Sequence, residues 1–184
     1  MRSIADDGHS ASAGIRAAVA GDEAAFTRIV AAHHDDMVRV CYVISGDIAI
    51  AQEAAQSAWP IIWRKLGSLR QPDRLRPWLV SVAANEARLL LRQRRRRGVI
   101  EIPMDLTGGG AGWSGDDLSD RAAEVDLADA LRRLSPDDRL VVALRYVLGL
   151  TSTEIGLAIG LSPAGARTRL ARALTRLKKD LDHG

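Results

Sequence analysis

The sequence has a single cysteine, Cys41, which leaves neither an internal disulfide nor a cysteine-built zinc cage open to it. The thiol is expected to be a small core residue. Aromatic residues make up only 4% of the chain, so its cores must be aliphatic. No apolar run approaches the ~20 residues that a membrane-spanning helix needs. The opening, MRSIADDGHSASAG, lacks the basic-then-apolar pattern of a secretory leader, and a cytoplasmic location is expected. A glycine-rich phosphate loop, a nucleophile elbow and a helical metal motif are all missing. His33 and His34 are adjacent, so on a helix they point to different faces and make no two-ligand metal site. The sequence therefore predicts no catalytic residue, no metal and no cofactor.

What it does have is 47% hydrophobic and 27% charged residues over 184 positions, the balance of a globular chain forming one domain or two small ones. The net charge of +3 conceals an uneven distribution. Residues 1–59 carry four basic and eight acidic side chains, whereas residues 60–97 carry eleven basic ones against Asp73 and Glu86. Residues 98–126 set seven acids against Arg121, residues 127–160 balance, and residues 161–184 return to six basic against two acidic. Two basic stretches separated by an acidic one suggest two nucleic-acid contacts joined by a segment that DNA repels.

The stretch 107–117 concentrates five glycines without hydrophobic periodicity and is expected to be the boundary between two parts. Before it, a short helix near 12–20 and three longer ones over about 22–45, 47–66 and 74–97 are predicted, with Asp22 and Asp47 as N-caps and Gly67 closing the second. Pro60 should kink that second long helix. After the boundary, helices are expected over about 119–133 and from Ser135-Pro136 to Val147, followed by two shorter ones with a turn between them. Thr151-Ser152-Thr153-Glu154 has the pattern of a capping box, and Ser162-Pro163 marks the last start. The predicted class is all-α, two small helical domains joined by a flexible linker.

Residues 151–174, TSTEIGLAIGLSPAGARTRLARAL, have the pattern of a helix-turn-helix. Ile155 and Ile159 form an apolar stripe, Gly156 permits close approach, and Gly160 permits a sharp turn before a buried Leu161. Ala166, Leu170, Ala173, Leu174 and Leu177 then face inward at helical spacing. Ala164, Thr168 and Arg172 lie opposite, flanked by Arg167 and Arg169, the chemistry of a helix that reads a major groove. A solvated arginine-rich face has the same composition. On the helix at 74–97, a stripe of Leu75, Leu79, Val82, Leu89 and Leu90 is expected to be buried. Arg74, Trp78, Ser81, Asn85, Arg88, Arg92 and Arg96 recur on another side at intervals of three and four, which suits backbone tracking and base stacking on opened DNA. Trp78 taken alone suits packing into the core better than base stacking. The run Arg94 to Arg97 is a phosphate patch of low specificity.

Taken together, these features resemble the extracytoplasmic-function (ECF) subgroup of bacterial RNA polymerase sigma factors. The resemblance covers about residues 15–97 and 122–181 and rests on GDEAAFTRIV, GDIAIAQEAAQSAW, WRKLGSLRQPDRLRPWL and SVAANEARLLLRQRRRR in the first half, and on LRY followed by GLTSTEI and a basic helix in the second. It implies a sigma region 2 at 15–97, an acidic linker at 98–121 and a sigma region 4 at 122–184. Asp47, Glu53 and Gln56 would then dock on core RNA polymerase. Arg70 in the loop from Gly67 to Asp73, with Arg74, Trp78, Ser81, Asn85, Arg88 and Arg92, would bind the minus-10 element and capture a flipped base. Ser162, Pro163, Ala164, Arg167, Thr168, Arg169 and Arg172 would read the minus-35 element. Ala54, Ala55, Ser57 and Pro60 depart from the denser acidic-apolar pattern of the family's docking helix, and Gly165 stands where threonine is common.

The resemblance thus implies a non-enzymatic promoter-specificity subunit with core polymerase, promoter DNA and an anti-sigma protein as partners. Its rival is a stand-alone helix-turn-helix regulator in which residues 1–97 sense a signal or dimerise. A nuclease would need a metal-ligand cluster, which the sequence lacks.

Overall fold

The computed structural model describes the backbone of residues 4–97 and 118–182, and the side chains of 12–97 and 126–182. The described residues form eight α-helices and no strand, as the aliphatic, helix-periodic sequence requires. The first part holds α1 (Ile4–Val19), α2 (Glu23–Ser45), α3 (Ile48–Lys65) and α4 (Leu75–Arg96), with two short 3₁₀ turns between α3 and α4. The second holds α5 (Leu118–Arg133), α6 (Pro136–Tyr146), α7 (Ser152–Ile159) and α8 (Pro163–Leu181).

The starts are set by side-chain caps that satisfy amides with no helical partner. Asp22 Oδ1 accepts from Ala25 N at 3.0 Å, and Asp47 Oδ1 accepts from Ala49 N at 2.8 Å and Ile50 N at 3.0 Å. Ser135 Oγ accepts from Asp138 N at 3.1 Å, with Pro136 opening α6 where its missing N–H costs nothing. Helix α2 ends at Gly46, whose φ of 73° closes the helix through its amide bonded to Tyr42 O. Helix α3 runs through Pro60 to Lys65, so the proline does not divide it. Helix α1 begins earlier than its periodicity suggested, and α8 is the longest element of the second part rather than a short one. Residues 98–117, including the glycine-rich boundary, lie outside the described residues, and 118–121, expected in the linker, form the first turn of α5.

Helices α2, α3 and α4 pack together around Met37, Val40, Cys41, Ile44, Ile50, Ile62, Leu79 and Val80, all essentially inaccessible. Ala51, Ala54, Ala55 and Ala58 of α3 and Ala83, Ala84 and Ala87 of α4 are all buried in the same core, where small side chains allow close packing. Ala54 and Ala55 are therefore core residues of α3. Cys41 belongs to the same core, and burial pushes its thiol up to about 12.

Leu140, Val141, Leu144, Leu148, Leu150, Ile155 and Ala166 from the second part join that same apolar cluster. The halves thus share a core, with α6 on α2 and α7 on α4. Arg76 fastens the seam: its Nε donates to Asp36 Oδ2 at 2.8 Å and its Nη1 to Leu148 O at 3.0 Å. A smaller cluster of Leu134, Val142 and Ala173 seats α8 on α5 and α6.

Candidate nucleic-acid interface

The turn that presents α8 begins with a complete capping box. Thr151 Oγ1 accepts from Glu154 N at 3.3 Å, while the Glu154 carboxylate accepts from Thr151 N at 2.8 Å. Gly160 ends α7 at φ 71°, a conformation that favours glycine. Gly156 is the tightest point: a Cβ there would lie 2.6 Å from Leu161 O and 3.3 Å from Ser162 C, so the turn's backbone lies directly on the glycine. That contact is made by the main chain, which turns the Leu161 side chain outward; it is 40% exposed, not buried as the sequence suggested. Ser162 Oγ then caps α8 by accepting from Gly165 N at 3.1 Å, and Pro163 is its first residue.

Helix α8 buries Ala166 and Ala173, with Leu170, Leu174 and Leu177 partly covered. Ser162, Pro163, Ala164, Arg167, Thr168 and Arg172 are all exposed. Thr168 Oγ1 donates back to Ala164 O at 3.0 Å, and neither Arg167 nor Arg172 has an ion pair among the described residues. Arg169 is different. Its Nε donates to Asp138 Oδ1 at 3.2 Å and its Nη2 lies 3.4 Å from Asp137 Oδ2. Arg176 Nη1 donates to the other oxygen of the buried Asp138 at 2.9 Å. Between α6 and α8 lies a cavity of about 580 Å³ bordered by Ser135, Thr168 and Arg172.

On α4 the core takes Leu75, Leu79, Ala83, Ala87 and Leu91, the face spaced at four residues. Leu89, expected inside, is 40% exposed because it falls on the far side with Asn85 and Arg92. That far side carries the predicted ladder: Arg74, Asn85 and Arg92 exposed, Trp78, Ser81 and Arg88 half-buried, and Arg70 exposed on the preceding loop. Trp78 packs its ring partly against the core, combining both of its predicted environments. Ser81 Oγ donates to Trp78 O at 2.7 Å. Arg88 Nη1 donates to Asn85 Oδ1 at 2.9 Å, and its Nε forms an ion pair with Asp137 Oδ1 at 2.7 Å.

Two of the three residues predicted to dock on polymerase meet on one arginine. Asp47 caps α3 and pairs with Arg94 Nη1 at 3.3 Å; Glu53 lies 3.7 Å from the other Arg94 nitrogen; Gln56 is exposed. Arg94 thus belongs to this acidic face as well as to the basic run. Sequence reasoning missed the pairing of Asp137 and Asp138 with arginines of other helices, since acids in a first helical turn already have a local reason to be there. It also missed the Trp59 Nε1 to His34 Nδ1 hydrogen bond of 3.1 Å, which gives His34 a packing role.

Two family models match the chain in order: sigma-70 region 2 over residues 29–97 and sigma-70 region 4 over residues 124–177. The RNA polymerase sigma factor CarQ of Myxococcus xanthus is 36% identical over 131 residues, covering 71% of this chain and 74% of CarQ. The probable RNA polymerase sigma factor RfaY of Xanthomonas campestris pv. campestris is 30% identical over 168 residues, which span 89% of this chain but 42% of RfaY. Among solved structures, the sigma factor RpoE of Bartonella quintana, crystallised with the anti-sigma factor NepR, superposes with a TM-score of 0.68 at 22% identity, covering 85% of this chain and 96% of that one.

Proposed function

The chain belongs to the sigma-70 family of RNA polymerase sigma factors, in its extracytoplasmic-function group, and we propose that it binds core RNA polymerase and directs it to promoters by reading two elements with α4 and α8. The observation that carries this reading is the outward face of α8, where Arg167, Thr168 and Arg172 are exposed, the two arginines without an ion pair among the described residues, on a helix fixed by the Gly156–Leu161 turn. Arginine pairs with guanine edges through two parallel hydrogen bonds, and threonine serves a base edge or a phosphate. Helix α4 supplies the second surface. Asn85 and Arg92 offer polar contacts beside the half-buried Trp78, a set that suits an unstacked strand better than a closed duplex. Arg70 and Arg74 extend that surface toward the phosphates.

Core polymerase would meet the α3 face that carries Glu53 and Gln56, with Asp47 serving mainly as its cap. The polymerase supplies the bond chemistry; this chain supplies positioning and specificity. An anti-sigma protein that covers these faces is the expected regulator, and the cytoplasm is the expected place of work. No described helix is long and apolar enough to cross a membrane.

The test is transcription in vitro by core RNA polymerase from the source organism on a pool of its promoter fragments, with and without this protein. New start sites that depend on the protein and share two spaced elements support the reading. Arg172→Ala should weaken binding to the upstream element by about 1–3 kcal/mol if that guanidinium pairs with a guanine, with polymerase binding retained. Sequence-specific DNA binding without any protein-dependent transcript would transfer the assignment to a stand-alone regulator.

A further inference from the structure

The charged contacts of α4, α6 and α8 form one alternating chain: Arg88, Asp137, Arg169, Asp138, Arg176. Asp137 Oδ1 lies 2.7 Å from Arg88 Nε of α4, and its Oδ2 lies 3.4 Å from Arg169 Nη2 of α8. One carboxylate therefore holds an arginine of each helix proposed to touch DNA. We propose that Asp137 is an internal stand-in for a DNA phosphate, a latch that keeps the chain closed until a polyanion takes Arg88 and Arg169 away from it. The inference rests on the proposed role of α4 and α8 and assigns a regulation to the same surfaces.

The placement of Asp137 fits a latch better than a structural strut. Its side chain is 48% exposed, whereas that of Asp138 next to it is 10% exposed and holds Arg169 and Arg176 within the second half. An exposed carboxylate can be reached by the solvent ions and phosphates that would replace it. The carboxylate sets one oxygen beside each guanidinium, as two oxygens of a phosphate would stand, in ion pairs without hydrogen-bond alignment. The apolar contacts between α2 and α6 and the Arg76 to Leu148 O bond bring the halves together without selecting for charge. The latch adds the component that DNA can outcompete, and that salt weakens as the Debye length shrinks from ~10 Å at 0.1 M to ~3 Å at 1 M.

The experiment compares the full chain with Asp137→Asn, Asp137→Glu and Asp182→Asn, the last removing the same charge from an exposed position of the second half that has no ion pair among the described residues. Small-angle X-ray scattering reads compactness across a salt series, and fluorescence anisotropy reads binding to a single-stranded oligonucleotide of mixed sequence. Asp137→Asn should open the molecule at lower salt and tighten oligonucleotide binding at low salt by about two- to fivefold, the scale of an exposed ion-pair network. Asp137→Glu should stay close to the parent, and Asp182→Asn should leave compactness unchanged. Equal compactness and affinity for Asp137→Asn and the parent would overturn the latch, as would an equal gain for Asp182→Asn. The same proteins are assayed for transcription with core polymerase. Promoter-dependent transcripts together with an inert Asp137→Asn would remove the latch alone. An opening Asp137→Asn without any transcript would leave the latch and remove the sigma reading.

Discussion

Helices α4 and α8 carry the same kind of polar face on opposite kinds of foundation. Along α4 the core takes Leu75, Pro77, Leu79, Val80, Ala83, Ala84, Ala87 and Leu91, so that helix is an integral wall of its half. Along α8 only Ala166 and Ala173 are fully buried, and the helix is steadied by Asp138 gripping Arg169 and Arg176. Apolar burial is not screened by salt, whereas ion pairs with one exposed partner weaken in it. The first surface is rigid by packing; the second rests on a smaller apolar seat and leans in part on charged contacts. A surface that captures an unstacked base needs a fixed pocket, while one that follows a duplex gains from adjustment.

The largest effect should come from attacking the wall. Leu79→Ala removes a fully buried side chain between α2, α3 and α4 and should cost about 2–5 kcal/mol of stability, read as the shift of a urea unfolding curve. A shift below about 1 kcal/mol would mean that α4 is far more loosely seated than its burial indicates.

Gly156→Ala attacks the foundation of α8. The new Cβ would stand 2.6 Å from Leu161 O, a main-chain atom with no rotamer to move to. About 1–3 kcal/mol of overpacking is expected, together with loss of duplex binding out of proportion to the loss of stability, because the turn that aims α8 is displaced. Proportionate losses would show that the turn fixes only stability.

Removing the α8 cap is a finer probe of the same end. Ser162→Ala gives up the bond from Gly165 N and should cost about 1 kcal/mol, with amide exchange accelerated at the start of α8 and unaffected in α4.

The smallest effect is on pH dependence and belongs to the seam between the halves. His33 is held below its ordinary value of 6.5 chiefly by burial, with Asp36 pulling it up and Arg76 pushing it down. The unfolded chain therefore takes the proton first. The stability from the neutral imidazole is fully present above pH 6.5 and declines as pH falls below it toward the lowered folded value. Unfolding midpoints between pH 7.5 and 5.5 should fall more steeply for the parent than for His33→Gln, and parallel curves would remove His33 from the seam.

Element starts were the most legible part of the sequence, because Asp22, Asp47, Ser135, Thr151 and Ser162 each act within three residues of themselves. The polar ladder of α4 was legible for the same reason, since it needs only helical spacing. Leu89 and Leu161 were misplaced because spacing says which residues share a face but not which neighbour covers it. The charged chain through Asp137, the grip of Arg94 on Asp47 and Glu53, and the joining of both halves in one core were hidden. They connect residues far apart in sequence, and a surplus of arginine offers each acid many equivalent partners.

Cys41 gives the molecule a clock. It is the only thiol of the chain, it lies fully inside the α2–α4 core, and burial pushes it up to about 12, so the folded protein presents almost no thiolate to an alkylating reagent. Reaction then requires the first half to open, and the labelling rate counts those openings one molecule at a time. Because the second half has no cysteine, the count is blind to events there. Movement of α8 alone would pass unrecorded, while loss of the wall on which α4 stands would register at once, without any engineered reporter.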